Sequence, residues 1–336
     1  MVPSAGLVRA WLKVLSLSKV TSKETVLILK GSNAYAENII ASRFASAQLG
    51  ARTLIVELGD AFIEDEPATG LLIGNRAAVD AMKSADFVID MMGIDRGKEQ
   101  NEILEAGTRI LLVKEPPETL IKLVPTEADK ERVEKAARQL TNASSMRIVS
   151  DRGTQLSVEV GQYSCLVQYG YADEPGRWDH WPGAFVATWP NERSANGKVV
   201  LAPGDVILPF KSYVRTPIHL TIENGYITAI EGDFDARYLR DYMASFNDAE
   251  GYAVSHLGWG LYPPAHWTSL GMYDKSQTNG MESRSFIGNF MFSTGPNLEG
   301  GGMRDTKCHL DIPMLDCSVY LDNEPVTHQG KLVKPS

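Results

Sequence analysis

The chain has 336 residues, of which 43% are hydrophobic and 22% charged, and its formal net charge at pH 7 is −9. This composition is typical of a globular protein large enough for two domains. The acidic balance, without a concentrated basic face, disfavours nucleic acid or an anionic membrane as the main partner, and no run reaches the ~20 apolar residues that span a bilayer.

The first part of the chain alternates helix-like and strand-like segments. In order, it predicts an amphipathic helix within residues 1–20, strand 25–30, helix 33–49, strand 53–57, helix 76–85, strand 87–90, helix 98–106 and strand 109–113. Such alternation favours βαβ units around a parallel sheet, whose ligands bind beyond the carboxyl ends of the strands. No GxGxxG or GxxxxGK[ST] motif follows the first strand, so a plain turn is preferred there to a nucleotide site.

In the second part of the chain, short β-like runs replace the alternation of helices and strands. A charged helix at residues 127–142 predicts the joint between two domains, at 1–143 and 144–336. Short β-like runs follow at 146–149, 155–160, 184–188, 198–201, 206–208, 218–223 and 226–231, before a helix at 236–246. Asn224-Gly225 between the last two runs predicts a hairpin. The predicted fold class is therefore α/β: an N-terminal parallel-sheet domain followed by a β-rich α+β domain.

The three cysteines are Cys165, Cys308 and Cys317. Their odd number and the absence of CxxC spacing indicate no disulfide framework. They predict a reducing cytoplasm as the location of a soluble protein.

The segment Cys308-His-Leu-Asp-Ile-Pro313 is the most informative part of the chain. On a strand, His309 and Asp311 point to the same face. With His256, they could occupy one face of a metal ion and leave the other open, as in non-haem Fe(II) oxygenases. The same spacing also fits a buried hydrogen-bonded pair within a sheet, and His266 is the substitute if one ligand is misassigned.

Two further segments carry polar and aromatic groups suited to a planar substrate. In Tyr169–Pro182, Trp181 offers a stacking face and His180 can transfer protons near neutral pH. The alternative is a loop packed by its own aromatic side chains. Ser293 and Thr294 could donate hydrogen bonds to a ligand, or they could cap the turn that follows them.

Residues 169–182, 255–260, 289–297 and 308–313 together resemble the 2,5-dihydroxypyridine 5,6-dioxygenase family, which opens the ring in bacterial nicotinate and nicotine breakdown. The likeness runs from about residue 10 to about residue 330. It implies an aminopeptidase-like two-domain fold, a cytoplasmic location and a homo-oligomer. It also implies Fe(II) held by His256, His309 and Asp311, and cleavage of the C5–C6 bond of 2,5-dihydroxypyridine by O2 to give N-formylmaleamate.

The resemblance also assigns roles to residues around the iron. His180 and Ser293 would orient the substrate or transfer protons. Trp181 and Thr294 are candidate substrate-binding residues on the chemistry of their side chains given above. The family has a histidine where this chain has Arg96, whose guanidinium cannot act as a base near neutral pH.

Arg96 could instead clamp a carboxylate or an anionic oxygen of the substrate, while Asp95 could hold Arg96 or replace the lost base. An exposed ion pair at a strand end is the alternative. A related hydroxypyridine, including a carboxylated one, is therefore a further candidate substrate.

Two other functions fit parts of the sequence. A metallo-aminopeptidase-type hydrolase would share the fold, but a two-metal hydrolase needs several carboxylates and the cluster supplies one. A binding protein on an enzyme scaffold would show no turnover of any hydroxypyridine after Fe(II) loading.

Overall fold

The structure is a computed structural model that describes residues 2–59, 72, 74–94, 97–276 and 278–333. The helices, in chain order, are α1 (Ala5–Leu17), α2 (Ala36–Gln48), α3 (Arg76–Lys83), α4 (Lys98–Glu105), α5 (Pro117–Lys122), α6 (Glu127–Thr141), α7 (Phe234–Ser245) and α8 (Met281–Ser285). Within these ranges, no helix is both long and apolar enough to cross a membrane.

The strands follow in one list. They are β1 (Thr25–Lys30), β2 (Arg52–Glu57), β3 (Phe87–Asp90), β4 (Arg109–Leu112), β5 (Ser145–Val149), β6 (Gln155–Glu159), β7 (Leu166–Gln168), β8 (Trp178–His180), β9 (Phe185–Thr188), β10 (Asn196–Leu201), β11 (Val206–Ile207), β12 (Ser212–Tyr213), β13 (Ile218–Glu223), β14 (Tyr226–Gly232), β15 (Val254–Gly260), β16 (Phe290–Thr294), β17 (Leu310–Met314), β18 (Ser318–Leu321), β19 (Glu324–His328) and β20 (Lys331–Leu332).

The chain forms two compact units that are discontinuous in sequence. The first comprises the residues up to Lys130 with Gln168–Gly183 and Ser276–Asn279, and the second comprises Glu131–Val167, Ala184–Lys275 and the residues from Gly280 onward. The predicted domains, 1–143 and 144–336, follow a different division. A change of sequence texture marks where β-like runs begin, whereas the compact units follow from which segments contact one another.

The first unit contains a five-stranded parallel sheet with the order β2-β1-β3-β4-β8. Leu27 of β1 and Val88 of β3 are fully buried and share a core with Val79 and Met82 of α3 and Ile103 of α4. Helices packed on a parallel sheet explain why its central strands are continuous apolar runs. This confirms the α/β part of the predicted fold.

The second unit is β-rich, as the sequence predicted. An eight-stranded antiparallel sheet has the order β14-β13-β10-β6-β5-β18-β19-β20, and a five-stranded sheet has the order β17-β16-β15-β9-β7. The predicted hairpin is present, because Asn224 and Gly225 join β13 to β14 with φ values of 50° and 84°. Positive φ at both central residues is what a type I′ turn requires.

Candidate metal centre

Neighbouring antiparallel strands of the β17-β16-β15-β9-β7 sheet position the candidate ligands. His256 lies on β15 and Asp311 on β17, with β16 hydrogen-bonded between them, and His309 directly precedes β17. Ser293 of β16 is paired with Asp311 in register. Because paired residues on adjacent strands share a face of the sheet, the register places Ser293 and Asp311 on the same side.

A β-bulge in β15 places His256. Val254 pairs with Thr294, and Leu257 pairs with Phe292, so Ser255 and His256 together stand opposite the single residue Ser293. A bulge of this kind re-aims a side chain without ending the strand. The Ser293 hydroxyl donates a hydrogen bond of 2.8 Å to the backbone carbonyl of His256, which holds the bulge in place.

Glycines allow the neighbouring strands to approach β15 closely. A Cβ atom at Gly258 would lie 1.9 Å from the carbonyl oxygen of Val186, and one at Gly260 would lie 2.2 Å from that of Phe286. Both contacts are with backbone atoms, so a side-chain rotation could not relieve them. The glycines of the sequence His256-Leu-Gly-Trp-Gly260 are therefore needed to pack the strand that carries His256.

The side chains of His256, His309 and Asp311 converge. One potential ligand atom from each lies within 4.8 Å of the others. Asp311 Oδ1 is 3.1 Å from Nε2 of His256 and 3.3 Å from Nε2 of His309, and the two imidazole centroids are 5.5 Å apart. The prediction that these three residues lie together is therefore matched by the geometry.

Among the described residues, two buried polar atoms of the cluster have no hydrogen-bond partner. The 3.1 Å separation would suit a hydrogen bond between His256 and Asp311, but within the described part of the chain neither Asp311 Oδ1 nor His309 Nδ1 has a well-aligned partner. A buried polar atom without a partner costs about 1–3 kcal/mol. Of these two atoms, Asp311 Oδ1 is the one that lies beside Nε2 of both histidines, and a bound cation would satisfy it.

Arg284 of α8 contacts the other oxygen of the carboxylate. Its Nε donates a 2.8 Å hydrogen bond to Asp311 Oδ2. Burial alone would raise the pKa of Asp311, but the Arg284 guanidinium, together with the neighbouring His309 and His256 side chains, outweighs it, and the pKa of Asp311 lies well below its ordinary value. The carboxyl group is therefore ionised, as a ligand must be.

Trp189 forms one wall beside His256. The two rings meet edge to face, with centroids 5.8 Å apart, and Trp189 is almost fully buried. A Cβ atom at Gly300 would lie 2.5 Å from the Trp189 ring, so the Gly300–Gly302 run includes a residue that must be glycine to pack there. The sequence reading did not find Trp189 or Arg284, because neither belongs to a spacing pattern with the ligands.

Ser293 and Thr294, the two hydroxyl residues named as candidates from the sequence, both lie on β16 but point to opposite faces of the sheet. Ser293 shares the face of Asp311, and its proton is donated to the His256 carbonyl. Thr294 pairs with Leu310 and points to the opposite face, because side chains alternate along a strand. A substrate-binding role for Thr294 is therefore not supported by its register.

His180 and Trp181 belong to the first compact unit. His180 ends β8, the strand added to the parallel sheet beside β4, and is buried. Trp181 is fully buried; its ring meets Trp11 edge to face at 4.9 Å, and its Nε1 donates a 2.7 Å hydrogen bond to the Leu123 carbonyl. Those contacts give Trp181 a place in a core, and the substrate roles of both residues stay predictions.

The remaining candidates lie outside the cluster or outside the described residues. The backbone N–H of His266 donates to the Glu282 carboxylate at 2.6 Å, and His266 is not one of the three converging residues. Asp95 and Arg96 fall outside the described residues. The turn before them is built by Asp90, whose carboxylate accepts hydrogen bonds from the N–H groups of residues 92–94.

The sequence profile of the 2,5-dihydroxypyridine 5,6-dioxygenase (NicX) family matches residues 6–334. The chain belongs to this family. It is 47% identical to the 2,5-dihydroxypyridine 5,6-dioxygenase of Pseudomonas putida KT2440 over 342 residues, which cover 99% of this chain and 98% of that relative. The family resemblance read from the sequence is thus confirmed.

Solved structures give the same result for the fold. The 2,5-dihydroxypyridine dioxygenase from Pseudomonas putida KT2440 superposes with a TM-score of 0.95 at 46% identity, covering 99% of both chains. The aminopeptidase AmpT from Thermus thermophilus superposes with a TM-score of 0.64 at 14% identity, covering 97% of this chain and 99% of AmpT. The second likeness concerns the fold alone, and it confirms the predicted aminopeptidase-like architecture.

Proposed function

We propose that this protein is an Fe(II)-dependent ring-cleaving dioxygenase that acts on 2,5-dihydroxypyridine or a closely related hydroxypyridine. Its membership of the 2,5-dihydroxypyridine 5,6-dioxygenase family supports the reaction class. The observation that carries the proposal is the convergence of His256, His309 and Asp311. In the proposed reaction both atoms of O2 enter the product, the C5–C6 bond breaks, and N-formylmaleamate forms.

The donor set fits Fe(II). Two imidazoles and one carboxylate are the ligands of non-haem Fe(II) oxygenases, and they leave positions open for other molecules. The buried Asp311 Oδ1, which lacks a hydrogen-bond partner among the described residues, is an atom that a cation would satisfy. When bound, Fe(II) would supply the redox centre through which the electron-rich ring reacts with O2.

The surroundings of the cluster keep its ligands in place and restrict water. Arg284 holds the carboxylate of Asp311, and Ser293 holds the backbone of His256. The His256 and Asp311 side chains are 5% and 8% exposed, whereas that of His309 is 29% exposed. The accessible side of the cluster is therefore at His309, and we infer that the substrate approaches there.

A hydrolase of the aminopeptidase type is less well supported. In the part of the chain that the structure describes, the cluster of His256, His309 and Asp311 is the one group of three or more potential metal ligands that converges. It offers a single carboxylate, whereas two-metal hydrolases need carboxylates that bridge or terminate both ions.

The proposal also includes the cellular location and the oligomeric state of the protein. Cys165, Cys308 and Cys317 are free thiols, and the cytoplasmic location that the family resemblance implies is part of this proposal. The homo-oligomer implied by the family stays a prediction, and so does the contribution of Asp95 and Arg96 to substrate choice.

The test is anaerobic reconstitution with Fe(II), followed by measurement of O2 uptake with 2,5-dihydroxypyridine, its singly hydroxylated analogues and a carboxylated derivative. We expect consumption of one O2 per ring and a product heavier than the substrate by one O2. A His309→Gln variant serves as the matched control and should take up no O2. Hydrolysis of an aminoacyl anilide with two bound Zn²⁺ or Co²⁺ ions, without O2 uptake by the Fe(II) protein, would overturn the proposal.

A further inference from the structure

We propose that Arg284 is a positioning residue that makes Asp311 a one-oxygen ligand, by holding Oδ2 and leaving Oδ1 for the metal. This inference rests on the proposed metal centre at His256, His309 and Asp311. It concerns how the chain prepares the carboxylate, and it assigns a role to a residue that the sequence pattern did not indicate.

The two oxygens of Asp311 have different surroundings. Oδ2 accepts the 2.8 Å hydrogen bond from Nε of Arg284. Oδ1 lies 3.1 Å from Nε2 of His256 and 3.3 Å from Nε2 of His309, and it has no aligned hydrogen bond among the described residues. The carboxylate is thus divided into an oxygen committed to the protein and an oxygen directed to the candidate ligands.

Arg284 is held in place by the strand that carries His256. Asn289 uses one amide group for both connections: its Nδ2 donates to the Arg284 carbonyl at 3.1 Å, and its Oδ1 accepts from the N–H of Gly260 at 2.6 Å. Gly260 is the last residue of β15. The guanidinium therefore starts from a backbone that is fixed relative to the His256 strand.

The guanidinium itself is restrained and largely buried. Its Nη1 lies 3.6 Å from the sulfur of Met281, and the side chain is 21% exposed. Arginine presents its N–H donors in a rigid planar fork, whereas lysine carries a rotatable ammonium group. Arg284 is thus suited to select one particular oxygen of Asp311.

The contact between Arg284 and Oδ2 would affect how many coordination positions stay open on a bound metal. A carboxylate can bind a cation through one oxygen or through both, and binding through both would use a position that the substrate or O2 needs. Groups that contact the ligands fix their orientation, and losing such a contact lowers metal affinity by roughly 10–100-fold. Holding Oδ2 would therefore preserve both metal affinity and open positions.

The experiment uses Co²⁺ as the probe on the metal-free, full-length protein, because the visible absorption of Co²⁺ reports its coordination number. Arg284→Gln removes the charge, and Arg284→Lys keeps the charge but moves the donor. We expect Arg284→Gln to weaken Co²⁺ binding by roughly 10–100-fold, with a spectrum shifted toward higher coordination. Arg284→Lys should change the spectrum with a smaller loss of affinity.

A matched control removes the same charge elsewhere. Arg152 forms a 2.9 Å ion pair with Asp316, and both side chains are about half exposed, at 43% and 56%. Arg152→Gln should leave the Co²⁺ affinity and spectrum unchanged. Circular dichroism and thermal unfolding of each metal-free variant show whether it is folded.

The outcomes separate this inference from the proposed function. If the parent protein bound no Co²⁺, the proposed metal centre would fail. If the parent bound Co²⁺ and folded Arg284→Gln kept its affinity and spectrum, only the role of Arg284 would fail. Should Arg284→Gln not fold, an Arg284→Lys spectrum identical to that of the parent would overturn the inference equally.

Discussion

Replacing Asp311 with asparagine is the sharpest test of the metal centre. The substitution keeps the size of the side chain but leaves a single oxygen. That oxygen can accept the hydrogen bond from Arg284 or face His256 and His309, but it cannot do both. The amide nitrogen would occupy the other position, and it has no lone pair to offer a metal.

The expected loss of metal affinity follows from the number of ligands. Sites with four protein ligands bind Zn²⁺ with ~10–16 kcal/mol, or about 3 kcal/mol for each ligand. Losing one ligand therefore weakens binding by about a hundred-fold. Turnover under limiting Fe(II) should fall at least as far.

The metal-free protein should lose stability for a separate reason. Removing one partner of a fully buried ion pair costs about 3–5 kcal/mol, whereas an exposed pair contributes about 0–1 kcal/mol. Asp311 and Arg284 are 8% and 21% exposed, so we expect Asp311→Asn to lower the free energy of unfolding by about 2 kcal/mol.

Both quantities are measurable on one preparation. A competing chromophoric chelator gives the metal affinity under anaerobic conditions, and urea unfolding followed by tryptophan fluorescence gives the stability. Asp316→Asn, which breaks the exposed pair with Arg152, should change the stability by less than about 0.5 kcal/mol. The reasoning would be refuted if Asp311→Asn bound Fe(II) as tightly as the parent and cleaved the ring at the same rate.

Three further substitutions test the surroundings of the site. Gly258→Ala should destabilise the protein by about 3 kcal/mol or more, because its Cβ would lie 1.9 Å from the Val186 carbonyl oxygen; an unfolding curve equal to that of the parent would contradict this. Ser293→Ala should lower the free energy of unfolding by about 1 kcal/mol, because it removes the hydrogen bond to the His256 carbonyl. If the hydroxyl only positions the bulge, kcat should fall by less than ~10-fold. A fall in kcat beyond a thousand-fold would instead make Ser293 a reacting group. Burial raises the pKa of Asp205 from 3.8 to about 6, so the folded state holds the proton more tightly than the unfolded state. The free energy of unfolding of the parent, relative to that of Asp205→Asn, should therefore fall as pH rises from 3.8 to about 6. Denaturant titrations in which this relative stability rose with pH would contradict the prediction.

Most regular elements could be predicted because their signals are local. The apolar run at residues 25–30 and the Asn224-Gly225 turn predicted a strand and a hairpin at the positions where the structure has them. β8 was read as part of an aromatic substrate loop, because Trp178-Asp-His180 has no apolar alternation. It becomes a strand through pairing with β4 and through Asp179, which accepts hydrogen bonds from the N–H groups of residues 169, 170 and 180.

The short helix α8, which carries Arg284, could not be predicted from local sequence signals either. Residues 281–285 are too few for a helical period, and the helix follows Gly280, which adopts a left-handed conformation with φ of 72°. No spacing rule connects Arg284 with Asp311. That Asp311 has a cationic or hydrogen-bonding partner could have been expected, because a buried carboxylate needs a positive charge or hydrogen bonds.

The sequence by itself determined that His309 and Asp311 share one face, because side chains on a strand repeat every two residues. It also carried the family resemblance, since whole motifs are preserved along the chain. The tertiary structure decided how His256 reaches them, through a bulge opposite Ser293. It also decided that Thr294 points to the opposite face of the sheet and that a guanidinium holds one carboxylate oxygen. Strand register and the contacts of distant segments decide those positions, and neither is written in the spacing of neighbouring residues.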